Sequence, residues 1–400
     1  MNVSKKNIYL DYSASTPVDP AVLREMNKYF TNDFGNPQSV HSFGQKAISA
    51  VDRSREIIAN SINANFSEII FTGSATESNN LALRGIVKKF LNENKKNIKP
   101  RLIISSIEHE SVLRTVEDLK RNNNIEVIYS PVNSEGTVDV DFIKRNLNER
   151  TVGVSIMYVN NEIGTIEPIK QISEVIKDFE NISKKHIYFH TDAVQAFQFL
   201  NCDVSYLGVD LMTLSSHKIY GPKGIGALYI KNNTPSKNMI EGIILGGGQE
   251  FGIRSGTENT PSIVGFAKAV ELRSKRLSES NKKIGELKKY FWQNIKRIYP
   301  QAEINGISDF YSQKNKAVPN ILNVYFPNHK AEDILTKLDL LGVSASSGSA
   351  CNARALQLSY VIFALYGDKS RAESSVRFSL GIPTKKQDIL YALNALKKVL

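Results

Sequence analysis

Lys218 lies in the segment 213–226, which reads Thr-Leu-Ser-Ser-His-Lys-Ile-Tyr-Gly-Pro-Lys-Gly-Ile-Gly. The apolar run 209–214 just before it predicts a buried strand. An amine at the end of a buried strand loses hydration, which favours its uncharged, nucleophilic form and allows it to condense with an aldehyde. The alternative is an ordinary surface lysine, since lysine is a strongly hydrated cation.

Asp192 ends a second apolar run, over residues 188–193. An amine and a carboxylate at the ends of two strands match the needs of pyridoxal phosphate (PLP), whose aldehyde takes an amine and whose pyridinium nitrogen takes a carboxylate. Asp192 alone would be read as a helix cap. Together with Lys218, it favours a cofactor site.

A turn of small residues follows the predicted strand 68–72 and opens a helix that runs through Lys88. Backbone N–H groups and the positive dipole end of a helix attract anions at such a turn. We therefore expect Ala75 and Thr76 to hold a phosphate group, with Ser215 and His217 closing on it from another strand end. The alternative is a plain N-cap by Ser74 or Thr76, with Glu77 stabilising the first turn.

Three further polar residues follow predicted strands. His109 can stack on an aromatic ring and move protons near neutral pH, although a capping histidine is the alternative. Asn161, in Asn-Asn-Glu-Ile-Gly, can hold a carboxylate or a ring oxygen, and Gln195 can reach the same oxygen. Ordinary loop chemistry is the alternative for these amides.

His186 and His190 share a strand without a third ligand, so we predict no metal site.

Residues 344–354 are rich in Ser, Ala and Gly and contain Cys351. Such small residues suit a mobile loop rather than a core, and Arg354 nearby favours the thiolate, so Cys351 is predicted to be a nucleophile. Cys202, in Phe-Leu-Asn-Cys-Asp, is predicted to pack in the core.

Arg377 projects from the predicted strand 375–379. A guanidinium group there can bind a substrate carboxylate through two parallel hydrogen bonds. A surface salt bridge is the alternative.

Short β-branched runs alternate along the chain with amphipathic helical patterns. Because the strands are apolar on both faces, they predict a mostly parallel sheet covered by helices on both sides, with ligands at the carboxyl ends of the strands. The predicted strands are 68–72, 101–105, 125–129, 152–159, 186–190, 209–214 and 225–230, and the helices between them include 113–122, 140–147 and 169–179.

A long helical pattern over 263–298 links this part to a smaller C-terminal unit with strands 320–325 and 375–379 and a final helix 386–399. We predict a large domain over residues 17–270 and a small α+β domain over 271–400, joined by segment 1–16.

The 400 residues suit two domains, and an apolar fraction of 41% is ordinary for a globular protein. Two cysteines exclude a disulfide framework and suit a reducing cytoplasm. We expect neither a signal peptide nor a membrane span. The net charge of +11 is dispersed and lacks a recognition motif, so we predict a solvated surface rather than a nucleic-acid site.

Together, these segments resemble the cysteine desulfurases of the nitrogen-fixation and iron–sulfur-cluster assembly type, which belong to the class V aminotransferase group of fold type I PLP enzymes. The resemblance covers nearly the whole chain. It rests on Tyr-Leu-Asp-Tyr-Ser-Ala (9–14), Gly-Asn-Pro (35–37), Ala-Thr-Glu-Ser (75–78), Val-Asn-Asn-Glu-Ile-Gly (159–164), Ser-His-Lys-Ile-Tyr-Gly-Pro-Lys-Gly (216–224), Arg-Ser-Gly-Thr (254–257), Ser-Ser-Gly-Ser-Ala-Cys (346–351) and Val-Arg-Phe-Ser-Leu-Gly (376–381).

The resemblance implies a fold type I enzyme that converts L-cysteine to L-alanine and carries the sulfur as a persulfide. It implies a homodimer and a sulfur-acceptor protein of unspecified identity. It implies that Lys218 is the Schiff-base lysine, that Asp192 pairs with the pyridinium nitrogen, that His109 stacks on the ring and that Gln195 contacts the ring oxygen. It implies phosphate contacts from Ala75, Thr76, Ser215 and His217, and from Thr257 of the second subunit. It also implies that Asn161 and Arg377 bind the substrate carboxylate and that Cys351 accepts the sulfur.

Two features depart from the family pattern. The sequence ends at Leu400, whereas housekeeping members continue in a tail that contacts a cluster scaffold, so that contact is not predicted. Asn-Ala-Arg follows Cys351 in place of a Thr/Ser-rich loop. An aminotransferase or selenocysteine lyase on the same cofactor, and an inert partner protein that keeps the fold, are the alternatives.

Overall fold

The structure, a computed structural model, describes residues 7–94, 98–231, 239–308, 316–348 and 358–400. Its strands alternate with helices along most of the chain. The strands are β1 Ile8–Tyr9, β2 Ile69–Thr72, β3 Arg101–Ser105, β4 Glu126–Ser130, β5 Thr151–Ser155, β6 Tyr188–Asp192, β7 Leu211–Ser215, β8 Gly226–Ile230, β9 Glu303–Ile304, β10 Ile321–Tyr325, β11 Val343–Ser344 and β12 Ser375–Ser379.

Polar side chains at the helix N-termini mark where many of the helices begin, because they accept backbone N–H groups that lack a partner within the helix. Asp19 caps α1 in this way, and Ser74 caps α3. The helices are α1 Pro20–Thr31, α2 Ser42–Ser61, α3 Ala75–Glu93, α4 Glu110–Asn122, α5 Val140–Asn146, α6 Ile169–Ser183, α7 Val204–Leu207, α8 Thr260–Ile298, α9 Ala331–Leu340, α10 Tyr360–Tyr366, α11 Lys369–Glu373 and α12 Lys386–Val399.

The main sheet has seven strands in the order β2-β8-β7-β6-β5-β3-β4. β8 pairs antiparallel with both β2 and β7, and the other pairs are parallel. The predicted mostly parallel seven-stranded sheet is therefore confirmed. Because β3, β5, β6 and β7 run in the same direction, their carboxyl ends meet at one edge of the sheet.

Side chains of β3 alternate between two hydrophobic cores. Ile103 packs into the core that includes residues of α2, α6 and α8, whereas Leu102 and Ile104 pack into the core formed with α3 and α4. Both faces of the sheet are thus covered by helices, as the continuous apolar strands predict.

The C-terminal part contains a second, antiparallel sheet in the order β12-β10-β9. The 39-residue helix α8 leads to it and packs against α1, α2 and α12. The predicted domain division at residue 270 falls within this helix and stays a prediction. Near the amino terminus, β1 pairs in parallel with β11, so the first described residues lie beside the C-terminal part.

Most predicted element boundaries agree with the structure to within three residues. The strand predicted over 152–159 ends earlier, at Ser155. Beyond it the chain stays alongside β6, with Ile156 N–H donating to His190 O at 3.1 Å, but outside the regular ladder. Among the described residues, no helix has the length and apolar character needed to cross a bilayer.

Candidate active site

A cavity of about 200 Å³ opens at the carboxyl edge of the main sheet. This position follows from the parallel strand order, which gathers the residues that follow each strand. Nine of the twelve predicted site residues line the cavity: Ala75, Thr76, His109, Asn161, Asp192, Gln195, His217, Lys218 and Arg377. Their convergence from positions far apart in the chain is the main result at this site.

Lys218 ends a single helical turn directly after β7. Its Nζ donates hydrogen bonds to the carbonyl oxygen of Ser13 and, at 2.9 Å, to that of Ala14. Gln195 is anchored to the same segment, with Nε2 donating to Ser13 O at 3.0 Å. Lys218 is therefore an oriented, half-buried amine, and the surface-lysine alternative is wrong.

Asp192 is the last residue of β6 and is buried. Its Oδ2 accepts a hydrogen bond from Asn79 Nδ2 at 2.8 Å, and its Oδ1 accepts one from Val194 N–H at 3.0 Å. Asn79 Nδ2 also donates to Ser111 Oγ at 2.8 Å, and Ser111 Oγ lies 2.8 Å from His109 Nδ1. A continuous hydrogen-bonded chain thus connects the carboxylate to the imidazole.

His109 caps α4, since its Nδ1 accepts a hydrogen bond from Ser111 N–H at 3.1 Å. The capping role and the place in the cavity therefore occur together. Burial lowers the pKa of His109, and the nearby Lys218 charge lowers it further against the opposing effect of Asp192. A neutral ring whose Nδ1 accepts carries its proton on Nε2, as assigned from these hydrogen bonds.

At the predicted phosphate turn the structure contains the N-cap that was the alternative interpretation: Ser74 Oγ accepts from Glu77 N–H at 3.1 Å, and α3 begins at Ala75. The phosphate contact of Ala75 and Thr76 stays a prediction. β8 approaches this turn so closely that a Cβ atom on Gly226 would lie 2.9 Å from Ala75 N. Burial, with the charges of Lys218 and Lys223, lowers the pKa of His217 to about 4.

Three predicted site residues are not among those that line the cavity. Ser215 is buried at the end of β7. Thr257 is exposed, on the loop whose Arg254 pairs with Glu77 of the phosphate turn. Cys351 lies outside the described residues.

Arg377 is 1% exposed, so the prediction of a surface salt bridge as its alternative role is wrong. Its Nη2 lies 2.8 Å from Asp11 Oδ1, and its Nη1 donates to Asn161 O at 2.9 Å. Within the described part of the chain, buried Arg377 Nε and Asn161 Oδ1 have no hydrogen-bond partner. Both residues line the cavity, so their unused hydrogen-bonding capacity lies beside the space that a polar ligand would occupy.

Described residues on both sides of the segment 349–357 lie close to this cavity. Before it, Ser346 exchanges backbone hydrogen bonds with Arg377, at 2.6 and 3.1 Å. After it, Ser359 Oγ donates to the buried Glu162 Oε2 at 2.5 Å, and Tyr360 O–H donates to Glu108 O at 2.7 Å. The described residues that flank 349–357 thus lie beside the candidate substrate contacts.

Sequence reasoning missed the residues that orient the predicted groups: Asp11, Ser13, Asn79 and Ser111. Asn79 and Ser111 occupy ordinary helical positions, and only the packing of α3 against α4 brings them together. The segment 9–14 belongs to the family pattern, but no spacing rule connects it with Lys218. Cys202 is buried, as predicted, and burial raises the pKa of its thiol to about 12.

The fold and the site define the class to which this chain belongs. The Aminotransferase class-V profile matches residues 8–391, so the chain is a member of the class-V aminotransferase family. PLP is the cofactor that this family implies. Among the described residues, no cluster of three or more His, Cys, Asp or Glu is arranged to hold a metal ion.

Curated relatives and solved structures show which proteins within this family the chain is similar to. The chain is 41% identical over 395 residues to "Cysteine desulfurase IscS" of Clostridium botulinum, covering 99% of this chain and 94% of that protein. It is 42% identical over 385 residues to "Cysteine desulfurase, mitosomal" of Encephalitozoon cuniculi, covering 96% and 84%. A solved "NIFS-LIKE PROTEIN" has a TM-score of 0.87 at 33% identity, covering 98% and 99%. "SspA in complex with cysteine" has a TM-score of 0.79 at 35% identity, covering 93% and 98%.

Proposed function

We propose that this protein is a PLP-dependent cysteine desulfurase. It converts L-cysteine to L-alanine and transfers the sulfur to Cys351 as a persulfide. The observation that carries the proposal is the convergence of Lys218, Asp192, His109 and Arg377 on one cavity, in a chain 41% identical to a protein named cysteine desulfurase. The stored sulfur then supplies iron–sulfur clusters, thiolated cofactors or thiolated tRNA through an acceptor protein.

The residues around the cavity fit PLP. Lys218 provides an amine for the aldehyde, Asp192 a carboxylate for the ring nitrogen, and His109 a ring to stack on it. The N-terminus of α3 at Ala75 and Thr76 provides N–H donors for a dianion, with His217 and Ser215 at the neighbouring strand end. Gln195 would contact the ring oxygen of bound PLP. When bound, PLP supplies an electron sink that labilises bonds at the substrate Cα and Cβ.

The substrate carboxylate binds at Arg377 and Asn161. Arg377 is held by Asp11 and by Asn161 O, while its buried Nε remains available as a donor within the described structure. A fixed guanidinium selects an amino acid by its carboxylate and orients Cα relative to Lys218. Cysteine is the bound ligand in a solved structure that is 35% identical to this chain, which supports this choice of substrate.

Two groups move protons. Lys218 Nζ, oriented by the Ser13 and Ala14 carbonyls, takes the substrate Cα proton. His109 exchanges a proton at Nε2, because Ser111 N–H and Oγ occupy its Nδ1 side. In the resting tautomer Nε2 is a donor, so His109 accepts the thiol proton at Nε2 only in the other neutral tautomer, in which Nδ1 carries the proton and donates it to Ser111 Oγ.

Sulfur transfer is balanced without an external oxidant. Cys351 thiolate attacks the substrate sulfur, an S–S bond forms, and the Cβ–S bond breaks. The electron pair of the broken Cβ–S bond stays on Cβ, which takes up a proton to become the alanine methyl group. One cysteine and one enzyme thiol therefore give one alanine and one persulfide. The contacts of Ser346 and Ser359 support this role, because they tether both flanks of the Cys351 segment near Arg377 and Glu162.

A homodimer completes the cofactor site in this proposal. Thr257 is exposed, and it reaches the phosphate of the partner subunit rather than that of its own chain. Gln38 Nε2, which donates to Glu258 Oε1 at 3.0 Å, connects the surface segments 34–43 and 244–258. Exposed apolar side chains in these two segments support the assembly: Phe34, Val40, Phe43, Leu245 and Phe251. We assign the protein to the cytoplasm, where Cys351 is kept reduced between turnovers.

Matched cysteine variants test the proposal. Cys351→Ser should keep the absorbance of the Lys218-bound cofactor but lose alanine and sulfide production. Cys202→Ala, which removes the buried thiol, should keep both. Survival of sulfide release in Cys351→Ser would contradict the nucleophile assignment. A requirement for a 2-oxo acid would indicate an aminotransferase, selenocysteine as sole efficient substrate would indicate a lyase, and a colourless purified protein would indicate an inert partner.

A further inference from the structure

An ion pair outside the cavity connects the phosphate turn to the loop that carries Thr257. Arg254 Nε donates to Glu77 Oε1 at 2.7 Å, and Arg254 Nη2 donates to Glu77 Oε2 at 3.3 Å. The two side chains are 23% and 19% exposed, so the pair is largely shielded from water. The geometry is that of a two-point arginine–carboxylate contact.

The Glu77 carboxylate also shapes the turn itself. Its Oε2 accepts a hydrogen bond from Gly73 N–H at 2.8 Å, and a Cβ atom on Gly73 would lie 2.9 Å from that oxygen. Glu77 therefore packs directly over Gly73, the residue that begins the turn between β2 and α3. Ser74 Oγ holds Glu77 N–H from the other side.

This position creates an electrostatic conflict for an anion site. Ala75 and Thr76, the proposed phosphate contacts, begin the helix in which Glu77 is the third residue. A carboxylate beside a bound dianion repels it, whereas a neutralised carboxylate does not. Arg254 supplies the neutralising charge through both carboxylate oxygens.

The loop that carries Arg254 is held at several further points. Ser255 N–H donates to Ile244 O at 3.2 Å, and Gly256 N–H donates to Gln249 Oε1 at 2.9 Å. Gly256 has φ of 120°, a conformation that favours glycine, so the backbone turns sharply between Arg254 and Thr257. These backbone contacts hold the Thr257 loop independently of the Arg254 side chain.

We propose that the Glu77–Arg254 pair is a charge-compensating clamp for the phosphate site. Glu77 shapes the turn through Gly73, and Arg254 cancels the charge of Glu77. Both are positioning residues, since neither is assigned a contact with the cofactor. The inference rests on the proposed function and deepens it, because it states which residues make the cavity selective for a phosphorylated ligand.

Binding titrations of cofactor-free protein test the clamp. PLP is compared with pyridoxal, which lacks the phosphate, and inorganic phosphate serves as a competitor. Arg254→Ala should weaken PLP binding about tenfold or more, while pyridoxal binding changes by less than about twofold. Inorganic phosphate should compete less well in this variant. Glu77→Gln, whose amide oxygen still accepts from Gly73 N–H, should bind PLP about as tightly as the wild type.

The double variant separates charge compensation from a merely structural role. Arg254→Ala combined with Glu77→Gln should recover most of the lost PLP affinity, because no uncompensated carboxylate remains. Arg84→Ala removes another α3 ion pair, Arg84–Asp118 at 2.8 Å, and should change neither affinity. Equal weakening of PLP and pyridoxal in Arg254→Ala, or no recovery in the double variant, would overturn the clamp. Failure of the wild-type protein to bind PLP would instead overturn the proposed function, and the clamp with it.

Discussion

Asn79 Nδ2 donates a hydrogen bond to Asp192 Oδ2 at 2.8 Å and so links α3 to the end of β6. The same nitrogen donates to Ser111 Oγ, also at 2.8 Å. One amide group therefore uses both of its hydrogens to orient the acid assigned to the cofactor and the serine that contacts His109. Its own Oδ1 is buried and without a partner among the described residues.

Asn79→Ala should weaken PLP binding by about tenfold, because a buried carboxylate and a serine hydroxyl both lose their donor. The titration is followed through the absorbance of the bound cofactor. Asn80→Ala is the matched comparison, since Asn80 lies on the same helix and its side chain contacts Thr76 O and Arg84 Nε, each at 3.0 Å. That variant should bind PLP normally. Equal affinity in Asn79→Ala and wild type would remove Asn79 from the site.

Arg377→Lys should raise the KM for L-cysteine by about tenfold or more, since an ammonium group loses the planar two-point geometry. The resting cofactor spectrum should be unchanged, because Arg377 is assigned to the substrate and not to PLP. Arg276→Lys alters another arginine–aspartate pair, with Asp19 at 2.8 Å, and should leave KM unchanged. A cofactor spectrum that changes while KM does not would reassign Arg377.

Thr257 provides a test of subunit exchange. Lys218→Ala removes the amine, and Thr257→Asp places a carboxylate against the phosphate. If Thr257 acts on the partner's cofactor, a heterodimer of these two variants contains one intact site. That site combines Lys218 of the Thr257→Asp chain with the unchanged Thr257 of the Lys218→Ala chain. Cofactor titration should give one tight site for each heterodimer.

The reciprocal heterodimer pairs a wild-type chain with a chain carrying both substitutions. Its only remaining Lys218 then faces the substituted loop of its partner, so no tight site is expected. If Thr257 instead acts within its own chain, the first heterodimer should have no tight site and the reciprocal heterodimer should have one. The pair of measurements therefore decides between the two arrangements.

Glu167 should make the stability of the protein depend on pH. It is buried, its Oε2 accepts from Val138 N–H at 3.0 Å, and burial raises its pKa from 4.5 to about 8. Between these values the folded state holds a proton that the unfolded state has released. The free energy of unfolding therefore falls as pH rises from about 4.5 to 8, by about 1.4 kcal/mol per pH unit for one proton, and levels off above that range.

Glu167→Gln removes this titration. The variant should match the wild type near pH 5 and exceed it near pH 8 by on the order of 3 kcal/mol, as measured by denaturant unfolding. Glu174→Gln, on the exposed face of α6, serves as the control and should follow the wild type. A constant difference between Glu167→Gln and wild type across this pH range would show that Glu167 does not titrate there.

Local sequence patterns are sufficient to predict the sheet, most of its strand boundaries and the residues at the strand ends. Lys218 and Asp192 follow apolar runs, and parallel strands bring their carboxyl ends together, so their meeting is predictable from pattern alone. The burial of Arg377 cannot be predicted from the local pattern. Its strand is correctly predicted, but its partner Asp11 lies at the other end of the chain.

The fold class and the candidate side chains at the strand ends can thus be predicted from the sequence alone, because hydrophobic periodicity and residue type are local properties. The groups that orient those side chains become apparent only in the folded molecule: Asn79 and Ser111 between Asp192 and His109, the Ser13 and Ala14 carbonyls at Lys218, and Arg254 at Glu77. Hydrogen bonds and ion pairs require that groups from segments remote in sequence be placed to within a few tenths of an ångström. Those distances are fixed by how helices and strands pack, which no local pattern records.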